Sequence, residues 1–160
     1  MYHLEEKSKL LLSTYDARLT DLKISPKCCN TKMSYKLKMY DETLQKKITK
    51  MMYFENVVAI EFSMNYFDNP IGTECCGFYE ILEMQEKEDL LERNFISRRN
   101  GFILHGDYVY DEQEPNDILN YRESIDDIRK ELSQYRLFQQ QTTGGIYYIL
   151  AKMWSMKERK

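Results

Sequence analysis

Proline and glycine are scarce in this chain, 3 and 6 among 160 residues, which excludes long structureless linkers. Histidine occurs only at His3 and His105, so no paired-histidine metal cluster can be written. No apolar run approaches the ~20 residues of a spanning helix, and no membrane partner is expected. The start, Met1-Tyr2-His3-Leu4-Glu5-Glu6-Lys7, has no basic region leading into an apolar stretch and no small-residue cleavage site. It does not read as a signal peptide, and the expected compartment is the cytoplasm, with the four cysteines reduced. There is no internal repeat.

What is present fits one globular domain over residues 1–160. Hydrophobic residues make up 42% and charged residues 31%, enough for a core and too apolar for disorder. The net charge of -3 is unevenly spread. Residues 1–52 hold 11 Lys/Arg against 6 Asp/Glu, a surplus of +5. Residues 53–135 hold 7 against 19, giving -12, and residues 136–160 hold 5 against 1, giving +4. Such asymmetry speaks to partners rather than to fold.

The most regular stretch runs from Phe54 to Met64, with Phe54, Val58, Ile60, Phe62 and Met64 on one face, interrupted by Asn56. That period of two predicts the central strand of a sheet. Before it, residues 8–25 predict one strand with a bulge, and Met33, Tyr35, Leu37 and Met39 alternate with Ser34, Lys36 and Lys38. Leu44 to Met52 leads into the central strand, making a hairpin. Phe78 to Met84 predicts an internal strand, and Glu86–Phe95 a short amphipathic helix. The Asn100-Gly101 pair predicts a tight turn into a strand over 102–110. Ser124 caps a second helix to about Ser133. A terminal hairpin follows, whose last strand, Ile146 to Met153, is apolar on both faces. The class is α+β: a mostly antiparallel sheet of six or seven strands with two short helices packed against it.

Chemistry is thinly represented. Gly72 and Gly77 are spaced as in a phosphate loop, but Phe78 and Tyr79 stand where Lys and Ser/Thr must follow. The adjacent pairs Cys28-Cys29 and Cys75-Cys76 lack the spacing of a closed zinc site, so buried or loop thiols are the expectation, with no metal and no cofactor. His105, beside Asp107 and within reach of Glu61 on another strand, is the acid/base candidate of a small hydrolase or transferase. Lysines 32, 36, 38, 46, 47 and 50, with Tyr35 and Tyr40 for stacking, suggest a basic stripe for nucleic acid, but Tyr35 shares parity with Met33 and Leu37 and so faces the core. A solvated strand face, and no nucleic acid, is the reading. The densest polar feature is acidic: Asp107, Asp111, Glu112, Glu114 and Asp117, with no calcium-loop spacing. Unpaired carboxylates so placed suit a cationic protein partner.

Phe54-Glu55-Asn56-Val57, Ile60-Glu61-Phe62, Gly77-Phe78-Tyr79-Glu80-Ile81, the acidic stretch around Leu90-Leu91, the His105–Tyr108 segment and Gly145-Ile146-Tyr147-Tyr148-Ile149 succeed one another. Over residues 44–153 this order resembles small bacterial immunity-type proteins of polymorphic toxin systems. The resemblance implies a compact α+β domain that binds and blocks a cognate toxin, with no catalytic residue. The expected function is therefore a non-catalytic protein-binding module, its acidic surface meeting a basic toxin. The alternative is the hydrolase or transferase built on His105. A third possibility is a structural subunit whose apolar last strand is completed by a second copy.

Overall fold

A computed structural model describes residues 7–27, 30–65, 74–104 and 125–159. Among these described residues seven antiparallel strands form one sheet: β1 (Ser8–Leu12), β2 (Arg18–Ser25), β3 (Lys32–Asp41), β4 (Lys46–Met64), β5 (Cys75–Ile81), β6 (Arg136–Thr142) and β7 (Gly145–Arg159). Their order across the sheet is β1-β5-β6-β7-β4-β3-β2. The chain divides into two compact units, the sheet (residues 1–82 and 135–160) and a helical unit (83–134). No described helix is long and apolar enough to cross a membrane.

Alternation carries the sheet. Met33, Tyr35 and Leu37 on β3 and Met52 and Phe54 on β4 are buried, and the residues between them are not. The β3–β4 turn is closed by the Leu44 N–H donating to Oδ1 of Asp41 at 3.0 Å. The terminal hairpin turns in two residues between Thr142 and Gly145. There the Thr142 hydroxyl donates to the Gly145 carbonyl at 2.9 Å. As expected, β7 is apolar on both faces: Ile149 and Leu150 are both fully buried. Gly145–Ala151 lies between β6 and β4 with both edges paired, whereas Lys152–Arg159 pairs only with β4.

Three expectations are corrected. Residues 8–25 are two strands, not one, separated by the turn at 13–17; β1 pairs with β5 and β2 with β3. The bulge expected in this stretch lies within β2, between Thr20 and Lys23. On β4 the core parity shifts at Asn56, whose φ is 53°, and Val57 rather than Val58 is buried. The segment before β3 holds this kink: the Asn56 N–H donates to Oδ1 of Asn30, and that of Val57 to the Thr31 carbonyl, both at 2.9 Å. Finally, α1 (Met84–Leu104) runs through Asn100-Gly101 without turning. An internal glycine costs a helix only ~1 kcal/mol, which propagation from established turns outweighs. The rest of the strand expected over 102–110 lies outside the described residues. In the same unit residues 125–130 are helical, as expected, and a 3₁₀ turn follows over Leu132–Gln134. Arg129 bridges Asp126 and Glu92, tying that helix to α1.

The sheet curls far enough for its margins to meet. The Cys75 N–H donates to the Ala17 carbonyl at 2.7 Å, the Asp16 N–H donates to that of Cys75 at 3.2 Å, and Arg18 bridges to Glu74. Inside the curl Phe54 is the hub, with ring centroids 5.7, 5.9 and 5.5 Å from those of Tyr35, Phe78 and Phe138. Trp154 packs edge-on against Phe78 at 5.0 Å. Offset and edge contacts of this kind add ~0.5–1.5 kcal/mol each to the burial of area.

Candidate functional site

One buried polar group interrupts the aromatic core. Gln140, fully buried, accepts from the Tyr35 hydroxyl at 2.9 Å and donates to Oγ1 of Thr14 at 3.1 Å and to the Gly77 carbonyl at 3.2 Å. Its amide is thus saturated, and among the described residues no buried side-chain nitrogen or oxygen lacks a partner. Burial pushes the Tyr35 hydroxyl well above the usual phenol range. This network specifies the register of three strands and the 13–17 turn; it is enclosed, with no path for a substrate.

The cysteine pair at 75 and 76 is split by the strand. Cys75 is 2% exposed and Cys76 faces solvent. Burial, with the neighbouring Cys76 adding to it, pushes the Cys75 thiol up to about 12, away from nucleophilic use. Among the described residues no three His, Cys, Asp or Glu side chains are grouped to hold a metal. His3, His105, Cys28, Cys29 and the acidic set Asp107, Asp111, Glu112, Glu114 and Asp117 lie outside the described residues. Glu61 borders an opening of about 490 Å³ with Phe62 and Tyr148.

The most developed surface is the outer face of β2, β3, β4 and β7, where register aligns residues into rows. Lys23, Ser34, Tyr53 and Ser155 form one row across the four strands. Thr20, Lys36, Met51 and Lys157 form the next, then Arg18, Lys38, Thr49 and Arg159. On the other side of the Tyr53 row stand Ser25 and Lys32, with Glu55 3.8 Å from Lys32. A groove of about 400 Å³ runs between them, bordered by Lys23, Lys32, Tyr53, Ser155 and Lys157. The Lys157 ammonium lies 5.8 Å from the centroid of the Tyr53 ring, a cation–π contact.

The lysine stripe read from the sequence is thus partly right. Lys32, Lys36 and Lys38 share this face and Tyr35 is in the core, but Lys50 pairs with Leu37 and so belongs to the inner parity. Sequence reasoning passed over Tyr53, Lys23 and Lys157. Each sits on a different strand, and only register brings them together. No family model matches the chain, and no curated protein or solved structure is significantly similar to it.

Proposed function

We propose that this chain is a non-catalytic binding module that holds a macromolecular partner against the outer face of its sheet. The observation that supports it is the four-strand row Lys23–Ser34–Tyr53–Ser155, flanked on both sides by rows carrying cations. Strand pairing fixes the backbone positions from which its hydroxyls, ring and ammonium groups project, so a partner meets a preformed scaffold and only side-chain freedom is lost on binding.

The test is a photo-crosslinking residue placed at position 53, with position 10 on the opposite margin as control, in the cell of origin. Adducts from position 53 that are absent from position 10 support this face. Adducts from position 10 alone reject it.

A second reading keeps the toxin-neutralising role, in the cytoplasm, through the acids at 107–117. The surplus of -12 over residues 53–135 favours it, since a toxin acting on nucleic acid presents a basic cleft. Replacing Asp111, Glu112 and Glu114 by Lys then slows association with that toxin and flattens its salt dependence. Unchanged kinetics remove that surface from consideration.

A further inference from the structure

We infer that the outer face of β2, β3, β4 and β7 binds single-stranded nucleic acid, an inference that rests on the binding-module reading and names its partner. The charge is complementary. Asp21, Glu55 and Glu74 answer Lys36, Lys32 and Arg18 at 3.6, 3.8 and 3.9 Å, while Lys23, Lys38 and Arg159 have no described carboxylate within ion-pair distance. The chain as a whole is slightly acidic, so this surplus is a local property of segments 1–52 and 136–160.

Spacing agrees with the charge. Lys32, Ser34, Lys36 and Lys38 succeed one another along one face of β3, about 6.7 Å apart as alternate strand residues are. A flexible polyanion laid along that strand meets a donor at each step, with Lys23 and Lys157 on flanking strands.

Aromatic rings separate this partner from other polyanions. Tyr53 stands mid-row between Ser34 and Ser155 on the floor of the groove, and Tyr40, 59% exposed, lies further along the same face of β3. Rings interleaved with cations on a sheet face suit unstacked bases. A duplex keeps its bases stacked on one another, and an acidic peptide uses the ammonium groups without needing the rings. Met51 and Met153 stand in the rows on either side of Tyr53 and share its outer face.

The experiment is fluorescence anisotropy of the full chain with a labelled uridine 20-mer across 50–200 mM salt. A duplex of equal length, polyglutamate and phosphatidylserine vesicles serve as competitors. The inference predicts saturable binding whose log–log salt slope falls by about one unit in each of Lys23→Gln, Lys38→Gln and Lys157→Gln. Tyr53→Leu, which keeps every charge, weakens binding roughly five- to a hundredfold, and Tyr53→Phe restores it. Thermal melts of each variant confirm folding, and the salt slope of Lys157→Gln decides the matter should Tyr53→Leu fail to fold. Equal affinity of Tyr53→Leu, or competition by duplex, polyglutamate or vesicles as strong as by the 20-mer itself, overturns it. A protein adduct from position 53 with no oligonucleotide binding rejects the nucleic-acid partner and leaves the module reading standing. No adduct from position 53, together with no oligonucleotide binding by the unsubstituted chain, rejects both.

Discussion

The hydroxyl of Tyr35 donates to Oε1 of Gln140 at 2.9 Å across 105 positions of sequence, joining β3 to β6 through the middle of the core. Gln140→Ala strips a buried phenol of its acceptor and leaves a cavity, and is expected to cost about 3 kcal/mol in urea unfolding. Tyr35→Phe leaves only the Gln140 carbonyl short of one donor and should cost about 1–2 kcal/mol. In a double-mutant cycle with Gln140→Leu, the combined loss falls below the sum of the two single losses. Strict additivity contradicts the network.

Gly145 has a φ of 156°, and a Cβ built there overlaps the Ser63 carbonyl oxygen on the neighbouring strand. Only glycine lets the terminal hairpin approach β4 this closely. Gly145→Ala is expected to cost about 2–4 kcal/mol by chemical denaturation, because backbone, not a flexible side chain, must move.

Alkali should expose the buried thiol. Cys75 is raised from its ordinary 9.0 to about 12 by burial, so its contribution to stability is complete below pH 9 and is lost as pH rises toward 12. The limiting slope is about 1.4 kcal/mol per pH unit. Tyr35 adds to the loss only above its ordinary value of 10.0, so stability between pH 9 and 10 isolates the thiol. Cys75→Ala should flatten that interval. In the native protein at pH 8, iodoacetamide should modify exposed Cys76 and spare Cys75, read by peptide mass spectrometry.

Arg136 grips Glu80 with two bonds, Nε to Oε2 at 3.0 Å and Nη2 to Oε1 at 2.7 Å, and lies 5.1 Å over the Phe138 ring. That hydrogen-bonded pairing raises the guanidinium above its usual range. Lys in its place keeps the charge but loses the fork. With Arg136 38% exposed, solvent screens the pair, and Arg136→Lys is expected to cost only about 0.5–1 kcal/mol.

Where alternation is unbroken, the strands were legible: Met33, Tyr35 and Leu37 mark the buried face of β3, and Ile149 and Leu150 mark β7 as internal. The split of residues 8–25 was not, because both halves alternate and only their separate partners, β5 and β3, distinguish them. The helix to Leu104 was hidden by Asn100-Gly101, a local turn signal that helix propagation overrode. The candidate face was the least legible feature. Tyr53 falls at the junction of the lead-in and the central strand, and nothing near it in sequence announces that Lys23, Ser34 and Ser155 stand beside it. Cross-strand register is a tertiary property, and of the two aromatics beside the lysine stripe Tyr35 is a core residue while Tyr40 is exposed.

The most direct test of the central claim is chemical-shift mapping of the ¹⁵N-labelled chain titrated with the partner captured at position 53. Shifts confined to the rows of Lys23, Ser34, Tyr53 and Ser155, saturating at a fixed stoichiometry with the partner recovered intact, are the predicted result. Shifts centred on Glu61, Phe62 and Tyr148, or chemical conversion of the partner during the titration, would contradict it.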